Sequence, residues 1–375
     1  MVRVGIIGGG QLARMMIPAA ITLGFDVKVF ADSEDSSASV VKTTVGDYTN
    51  LQEVLAFAEG VDVVTFDHEH VPRQILLGLI DGGVTLNPSP DALALTFDKS
   101  VMRQELSHLD IPQPRWVIVR SDTFTQPAID AVGGFPCIAK KPIGGYDGKG
   151  VRLIFSETEI MDWLDEGPVL LEEKVDFVRE LSQLSAMNAG GDWAGWDVVQ
   201  TSQVEGVCSE VFAPAPNLDP RMARDSLALA RRIAEAKGVI GVLAVELFET
   251  HDGRLLVNEL AMRPHNSGHV YTELSVTSQF EQHLRAVAGY PLGSTEKRAM
   301  HGVMVNLFGA VPDERAQSAY SMYPEIKIHN YQKSPRRGRK AGHIVAVGND
   351  FSQILNDCRR AAEIVGVHDY DGGHE

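Results

Sequence analysis

The feature that most constrains this chain is a glycine-rich turn between an apolar strand and an apolar helix at its start. Residues 2–7 form an apolar, β-rich run, Gly8–Gly10 follow, and residues 12–23 show helical apolar periodicity. Glycines are favoured where a strand turns tightly into a helix, because a side chain there would obstruct the backbone. The pattern predicts the first strand–turn–helix unit of a parallel, doubly wound sheet.

The following hundred residues continue this alternation. Strands are predicted at 26–30 and 61–66, with a helix at 51–58 between them. Pro18 lies inside the first predicted helix and is expected to kink it, because proline removes one backbone donor. The breaker cluster Asn87–Pro90 predicts a boundary soon after it, beyond which short strands and helices mix without an internal repeat.

Composition excludes several classes of protein. The chain of 375 residues carries 34 basic and 50 acidic residues, a formal charge of −16 that disfavours binding to nucleic acids and anionic membranes. Three distant cysteines favour neither a disulfide framework nor a thiolate zinc site. No apolar run approaches the roughly 20 residues that span a bilayer, and the glycine-rich start is unlike a signal peptide. We expect a soluble, cytoplasmic protein.

The first glycine turn also fits a dinucleotide-binding fingerprint. Residues 8–13 match G-x-G-x-x-A, and Asp32 follows the second predicted strand at the position of a ribose-binding acid. Taken alone, this pattern predicts an NAD-dependent dehydrogenase. The alternative is that the glycines serve only the tight turn, and that the helix N-terminus binds another anion or none.

A second glycine-rich segment, residues 144–150, follows a predicted strand that carries Lys140. Its four glycines let backbone N–H groups approach phosphate oxygens, and Lys140 and Lys149 add positive charge. It is not a P-loop, because Ile143 stands where the first glycine is required and Gly150 replaces the Ser or Thr. The segment predicts a mobile phosphate-binding loop, with a plain surface hairpin as the alternative.

Two apolar strands joined by Asp252-Gly253 predict a two-residue type I′ hairpin. In that register Glu246 lies directly opposite Glu259, where like charges repel. A bound Mg²⁺ would remove the repulsion, because it prefers oxygen ligands and binds one or two carboxylates together with substrate phosphates. Asn258 is expected to face the other side of the sheet unless a bulge redirects it. Two solvent-facing acids on an edge hairpin are the alternative.

Two polar segments follow the acidic hairpin. In residues 263–269, His265 and His269 have i, i+4 spacing, but the acid of H-E-x-x-H is missing, so an anion-binding loop is predicted rather than a zinc site. Residues 333–340 contain five cations. In a chain this acidic, such a run is predicted to attract an anionic substrate, and arginine suits bidentate phosphate contact. A solvated basic face is the alternative.

The order of these motifs, with an LEE strand at 171–173, resembles the ATP-grasp superfamily. More narrowly, the chain is similar to the 5-(carboxyamino)imidazole ribonucleotide synthase family of purine biosynthesis, most specifically in HNSGH and in K-x-x-R-x-G-R-K-x-G-H at 333–343. The resemblance implies an α/β and α+β fold, an ATP-grasp fold preceded by a Rossmann-like (pre-ATP-grasp) domain. The implied units are 1–108 (Rossmann-like), 109–182 (small lid domain with the glycine loop) and 183–375 (large domain with the magnesium site and substrate-phosphate segment).

The resemblance also implies the site residues. The residues implied to contact ATP are Lys99, Lys140, Gly145, Tyr146, Asp147, Gly148, Lys149, Gly150, Glu172, Glu173, Lys174, Val175, Glu180, Gln203, Asn258 and Glu259. Adenine would lie against residues 172–175, and Glu180 would bind the ribose. Glu246 and Glu259 would hold Mg²⁺. The ribonucleotide would contact Gln11, Glu69, Tyr146, Asp147, Arg263, His265, Lys333, Arg339 and Lys340. The implied catalytic residues are Asp147, Arg263, His265 and Lys333. Three positions depart from the usual family pattern, namely Gln203 in place of His, Pro264 after Arg263, and Pro18.

The implied reaction is the carboxylation of 5-aminoimidazole ribonucleotide, with ATP, Mg²⁺ and bicarbonate. Bicarbonate attacks the γ-phosphoryl group to give carboxyphosphate and ADP, and the amine captures the carboxyl carbon directly or as CO₂. Positioning and charge neutralisation would dominate catalysis, with the glycine loop excluding water. A homodimer is expected. The alternatives are another ATP-grasp ligase (a formate-using glycinamide ribonucleotide enzyme or a D-alanine ligase), an NAD-dependent dehydrogenase, and a nucleotide sensor without turnover.

Overall fold

A computed structural model describes residues 1–145 and 150–366 of the chain. The strands are β1 Arg3–Ile7, β2 Asp26–Ala31, β3 Thr43–Val45, β4 Val63–Phe66, β5 Trp116–Val119, β6 Cys137–Lys140, β7 Val151–Ile154, β8 Val169–Glu173, β9 Phe177–Met187, β10 Trp193–Gly195, β11 Val199–Val204, β12 Val207–Ala213, β13 Gly241–Thr250, β14 Leu255–Ala261, β15 His301–Gly309, β16 Lys327–Asn330 and β17 Arg336–Gly348. The helices are α1 Gln11–Leu23, α2 Leu51–Ala58, α3 Arg73–Asp81, α4 Pro90–Phe97, α5 Lys99–His108, α6 Gln126–Ala131, α7 Met161–Glu166, α8 Pro220–Lys237, α9 Tyr271–Leu274, α10 Gln279–Val287, α11 Asp313–Met322 and α12 Phe351–Val365.

The N-terminal sheet is parallel, in the order β3-β2-β1-β4, as the strand and helix alternation predicts. Its central strand β1 is buried from Val4 to Ile7, which is why that run is almost continuously apolar. Helix α1 follows the glycine turn and continues through Pro18 to Leu23, where Gly24 closes it in the left-handed conformation.

The lid sheet, β5-β8-β6-β7, is antiparallel and has two different faces. One face packs against α6 and α7 in a small apolar core that includes Cys137, Ala139 and Leu171. Because side chains alternate along a strand, Lys140 and Glu172 lie on the other face. The lid sheet therefore presents charged groups on the face that has no helix of its own.

The large sheet runs β14-β13-β9-β11-β12-β15-β17-β16, with β10 paired to β9. Strand β9 begins at Phe177, so the domain boundary predicted between residues 182 and 183 falls within one strand of this sheet. The three-domain division itself stays a prediction.

The acidic hairpin differs from its predicted form at the turn. The Thr250 N–H donates to the Arg254 carbonyl at 3.0 Å, and Gly253 adopts φ +77°. The loop between these two residues is therefore His251–Gly253, which is three residues long instead of two. Leu247 consequently pairs with Val257, one residue away from the predicted register. The predicted type I′ turn is therefore wrong.

A β-bulge in β14 restores the predicted register beyond the turn. The bulge sets Asn258 and Glu259 together against Glu246, and Val245 then pairs with Leu260 as the sequence predicts. Asn258 is thereby turned to the side of Glu259, since both side chains approach Lys140. Asn258 therefore does not follow simple strand alternation, and the bulge is the exception that the sequence expectation allowed for.

A buried histidine on α10 connects the N-terminal sheet to the large sheet. His283 accepts the Val242 N–H at Nδ1 (3.0 Å), and its Nε2 lies 2.8 Å from the Thr65 hydroxyl on β4. Burial lowers the pKa of His283 to about 3. Burial also lowers the pKa of His269 and His343 well below the ordinary value.

These histidines predict acid sensitivity. Each folded-state pKa lies below the unfolded value of about 6.5, so the unfolded chain binds more protons and the free energy of unfolding falls as pH drops below 6.5. The slope is at most about 1.4 kcal/mol per pH unit for each histidine. We expect urea midpoints to fall between pH 7 and pH 5, and to fall less steeply in His283→Gln. His108→Gln, at an exposed position, is the control, and equal slopes in parent and His283→Gln would contradict the prediction.

Candidate functional site

Two acidic side chains from the large sheet lie at the centre of the candidate site. Glu246 on β13 and Glu259 on β14 keep 33% and 37% of their side-chain surface exposed. Burial, and then the negative charges of Glu259 and Glu180, raises the pKa of Glu246 to about 8. The predicted juxtaposition of the two carboxylates is thus present, and it makes the ionised form of Glu246 unfavourable.

Two lysines approach the same carboxylates from other elements. Lys99, the first residue of α5, lies 3.7 Å from Glu259 and donates to the Gly145 carbonyl at 3.2 Å. Lys140 of the lid sheet lies 3.9 Å from Glu259 and donates to the Asn258 amide oxygen at 3.2 Å. Two of the residues predicted to bind ATP phosphates are therefore adjacent to the predicted metal ligands.

Lys140 also forms an ion pair with the buried Glu172. Glu172 accepts from Lys140 at 2.9 Å and from Nε of Arg103 at 2.6 Å. Burial opposes the ionisation of Glu172, but the positive charges of Lys140 and Arg103 outweigh it and lower its pKa to about 2. Arg103 was not identified from the sequence, where nothing distinguishes it from other helical arginines.

The segment predicted to contact adenine is divided between different surroundings. The Glu172 carboxylate is taken up by Lys140 and Arg103, and Glu173 accepts from the backbone and side chain of Arg115. Lys174 is exposed and Val175 is half-buried. Adenine could therefore contact Glu172 and Glu173 only through their backbone groups.

An apolar surface beside Lys140 was missed in the sequence. Ile138 pairs with Leu153, so both lie on the face of the lid sheet that carries Lys140. Ile138 is half-buried and Leu153 is 40% exposed. The alternation of apolar residues in β6 and β7 could have indicated this surface, which suits contact with a planar apolar group beside Lys140.

Glu180 and Gln203, predicted for the ribose end of ATP, are neighbours. Burial raises the pKa of Glu180, and a hydrogen bond from Gln203 opposes that effect. Glu180 also contributes to the raised pKa of Glu246, so it belongs to the same acidic cleft. Gln203, in place of the usual histidine, thus makes a hydrogen bond inside the candidate site.

The residues predicted for the ribonucleotide come together from opposite ends of the chain. Arg263, in the loop after β14, pairs with Glu69 after β4 at 2.8 Å. Lys333 donates to the side-chain carbonyl of Gln11 at the start of α1. The N-terminal domain and the C-terminal basic run therefore form one wall of the site.

The other members of the basic run are placed less uniformly. Arg339 donates to the Ser334 hydroxyl at 3.2 Å, and Lys340 is close enough for its charge to stabilise ionised Glu246. Four of the predicted loop residues lie outside the described residues, namely Tyr146, Asp147, Gly148 and Lys149. Gly145 and Gly150, on either side of these four, are described.

His265 is connected to a metal-ligand candidate. Its Nε2 lies 3.4 Å from the Glu246 carboxylate, and its Nδ1 lies 2.8 Å from the Ser267 hydroxyl. The buried Gln279 side chain exchanges two hydrogen bonds of 2.8 Å with the His265 backbone. His265 is thus fixed beside the carboxylates by neighbouring polar groups.

His269 belongs to a different environment from His265. It is fully buried, lies 2.9 Å from the Gln279 amide, and stacks on His343 with ring centroids 4.7 Å apart. The i, i+4 pair is therefore split between the cleft and the core. Within residues 1–145 and 150–366, no group of three or more His, Cys, Asp or Glu side chains is arranged to hold a metal without further ligands.

The first glycine turn is filled by the protein's own side chains. The Asp67 carboxylate accepts hydrogen bonds from the backbone N–H of Gly10 and, at 3.3 Å, from that of Ala13. The carboxylate thus occupies the N-terminus of α1. A Cβ at Gly10 would lie 2.3 Å from Asp67, and one at Gly9 would lie 2.7 Å from Ser36. A dinucleotide pyrophosphate needs this space and these donors, so the turn does not support the NAD-dependent alternative.

The raised pKa of Glu246 predicts a stability effect without metal. Its folded-state pKa of about 8 lies above the ordinary value of about 4.3, so this residue costs stability as pH rises from about 4.5 through 8. Glu246→Gln removes the cost. In metal-free buffer we expect the Tm difference, Glu246→Gln minus parent, to grow between pH 5 and pH 8.5. Solvent in the cleft reduces the size of the effect but not its sign. Exposed Glu205→Gln is the control, and a constant Tm difference would contradict the prediction.

In the two described ranges, no helix has both the length and the apolar character that crossing a membrane requires.

Comparison with family models divides the chain into three matched regions. A ribonucleotide synthetase preATP-grasp domain matches residues 1–96, an ATP-grasp domain matches 104–280, and a phosphoribosylaminoimidazole carboxylase C-terminal domain matches 302–357. These regions contain the glycine turn, the paired glutamates Glu246 and Glu259, and the whole terminal basic run, respectively.

Individual relatives cover almost the whole chain. The N5-carboxyaminoimidazole ribonucleotide synthase of Mycobacterium tuberculosis is 45% identical over 96% of this chain and 86% of its own. The Thermus thermophilus synthetase structure has a TM-score of 0.88, with 32% identity over 98% of this chain and 100% of its own. The Aspergillus clavatus synthase, solved with ADP and 5-aminoimidazole ribonucleotide, has a TM-score of 0.87, with 27% identity over 97% and 98% of the two chains.

Proposed function

The chain belongs to the N5-carboxyaminoimidazole ribonucleotide synthase family of ATP-grasp ligases, and on that premise we propose that it carboxylates 5-aminoimidazole ribonucleotide with ATP and bicarbonate. The predicted ATP-grasp fold with a preATP-grasp domain is confirmed. The observation that supports the proposed reaction is that Lys99 and Lys140 lie 3.7 Å and 3.9 Å from Glu259. Glu246, opposite Glu259, contacts His265 of the loop that also carries the Arg263–Glu69 pair.

The nucleotide would lie between the lid sheet and the large sheet. Lys99 and Lys140 would bind the ATP phosphates, because both ammonium groups already face carboxylate oxygens across the cleft. The apolar surface of Ile138 and Leu153 would contact the base. The backbone of 172–175 and the side chains of Glu180 and Gln203 complete the proposed ATP site, with 145–150 as its glycine loop.

The acidic cleft fits a magnesium ion bound together with the nucleotide. Glu246, Glu259 and Asn258 offer only oxygen ligands, and Glu246 is disfavoured as an anion until a cation is added. Glu246 and Glu259 would hold the ion, with Asn258 beside them. When bound, Mg²⁺ would neutralise charge that develops on the transferred phosphoryl group.

The reaction then needs mainly positioning from this chain. A bicarbonate oxygen attacks the γ-phosphorus, the bond to the bridging oxygen breaks, and ADP leaves with carboxyphosphate as the product. The substrate amine then attacks the carboxyl carbon, releasing inorganic phosphate and one proton. Lys99 and Lys140 would orient the phosphates, while Arg263 and His265 would orient the reacting groups near Glu246. Asp147 is proposed as a further catalytic residue from the family pattern alone.

The ribonucleotide would bind along the wall formed by the N-terminal domain and the basic run. Glu69 and Gln11 offer acceptors there, and Lys333, Arg339 and Lys340 would neutralise the substrate phosphate. Lys333 would thus join the substrate to α1. A cytoplasmic location and a homodimer belong to the same proposal and rest on the family resemblance.

Release of inorganic phosphate from ATP tests the proposed reaction. We expect release only when Mg²⁺, bicarbonate and 5-aminoimidazole ribonucleotide are all present, apart from a slow background without the amine. Each component is omitted in turn, and product is measured as incorporation of labelled bicarbonate into an acid-labile carbamate. Release that requires formate and glycinamide ribonucleotide, or D-alanine, would replace the proposal with another ATP-grasp ligase. ATP binding without release would indicate a sensor.

Neutralising one cation of the basic run tests the substrate-phosphate site. Lys340→Met should raise the KM for the ribonucleotide by roughly ten- to a hundredfold, because one charge-assisted contact is lost. The KM for ATP should change less than twofold. Arg336→Met, in the same strand but exposed, is the matched control. An unchanged ribonucleotide KM in Lys340→Met would contradict the prediction and indicate that the basic run is only a solvated face.

A further inference from the structure

We propose that Arg103 is a positioning residue for nucleotide binding, holding the lid lysine Lys140 and the bulge of β14 in one geometry. The inference rests on the proposed function only in that the ATP phosphates are taken to bind Lys140. It assigns Arg103 a role in ATP affinity, although its fully buried side chain does not reach the cleft surface.

Arg103 is a fully buried cation that joins three elements. It lies on α5, with 0% of its surface exposed. Its Nε donates to Glu172 on β8 at 2.6 Å, and its two terminal nitrogens donate to the carbonyls of Val257 at 2.8 Å and Asn258 at 2.9 Å on β14. One guanidinium therefore connects the lid sheet to the strand that carries Glu259.

The contact with Glu172 determines how Lys140 is held. Arg103 occupies one oxygen of that carboxylate, and the other oxygen accepts from Lys140 at 2.9 Å. A carboxylate fixed by a buried arginine has little rotational freedom, so the ammonium group bound to it is restricted as well. Restricting Lys140 before ATP arrives lowers the entropy cost of binding the phosphates.

The contacts with β14 determine how the bulge is held. A bulge disrupts the hydrogen-bond ladder locally. Asn258 is one of the two residues that oppose Glu246 there, and Val257 immediately precedes it. Arg103 donates to both of their carbonyls, and so fixes the backbone that turns Asn258 and Glu259 to one side. Its planar fork can satisfy three acceptors in fixed directions, which the single ammonium group of lysine cannot.

A purely structural ion pair in the same chain provides the matched control. Arg179 on β9 pairs with Glu249 and donates to the Pro216 carbonyl, with both charged side chains largely buried. Arg179 precedes the cleft residue Glu180 and therefore lies on the other face of the sheet. Removing Arg179 should cost stability without changing the nucleotide site.

The test compares Arg103→Met, Arg103→Lys and Arg179→Met in the full chain, with Mg-ADP as the probe. Affinity is measured by calorimetry and stability by thermal unfolding. We expect Arg103→Met to bind Mg-ADP roughly ten- to a hundredfold more weakly. The KM for the ribonucleotide should stay within twofold. Arg103→Lys should recover most of the stability but only part of the affinity, whereas Arg179→Met should lose stability and keep the parent affinity.

Removing Arg103 alone leaves the buried Glu172 with one partner fewer, which can prevent folding. Glu172→Gln and Arg103→Met/Glu172→Gln are therefore measured as a pair, since neither contains that carboxylate. The double variant should bind Mg-ADP at least tenfold more weakly than Glu172→Gln alone.

Three results would overturn the inference: parent-like Mg-ADP affinity in Arg103→Met, equal affinities within the Glu172→Gln pair, or an equal loss in Arg179→Met. Mg-ADP binding is measured without turnover. A parent that binds Mg-ADP but carboxylates nothing would therefore refute the proposed function and leave the role of Arg103 intact.

Discussion

The bulge in β14 is the constraint on which the rest of the site depends. Without it, strand alternation would place Asn258 and Glu259 on opposite faces of the sheet. With it, an amide and a carboxylate both face Lys140, and Glu259 lies against Glu246. Burial, and then the like charge of Glu259, make ionised Glu246 unfavourable and raise its pKa. The charges of Lys140 and Lys340 therefore help to stabilise ionised Glu246, in addition to the substrate-binding roles proposed for these lysines.

The acidic hairpin shows what the sequence could predict. Asp252-Gly253 correctly marked a hairpin, and the two apolar strands correctly placed the two glutamates together. The turn has three residues, however, and taken alone this would have moved every pair by one position. The bulge adds one residue to β14 opposite Glu246, and this cancels the shift from Val245 onward. The carboxylate pair was predicted through two compensating errors, because a single sequence does not record where a ladder is interrupted.

The buried groups were the hardest part of the site to predict. Lys140 and the basic run were predicted as site residues from their glycine-rich and cationic surroundings. Arg103 and Gln279 could not, because each lies on an ordinary helix and acquires its role from distant backbone carbonyls, side chains and loops. The glycine fingerprint failed for a related reason. It correctly predicted the strand–turn–helix unit, but Asp67, 57 residues away from Gly10, takes the place of the bound anion.

The balance of charge in the cleft supports the proposal that a nucleotide and a divalent cation bind together. Lys99 and Lys140 already face Glu259, and Lys140 also neutralises Glu172. A polyphosphate alone would have to compete with those carboxylates for the lysines while approaching Glu246 and Glu259. A cation alone would gain the carboxylates but would meet the two ammonium groups close by. A polyphosphate that carries its own divalent cation meets neither obstacle, because its positive centre faces the glutamates and its oxygens face the lysines. This arrangement of paired charges is the reason for proposing that the metal–nucleotide complex binds in preference to either component.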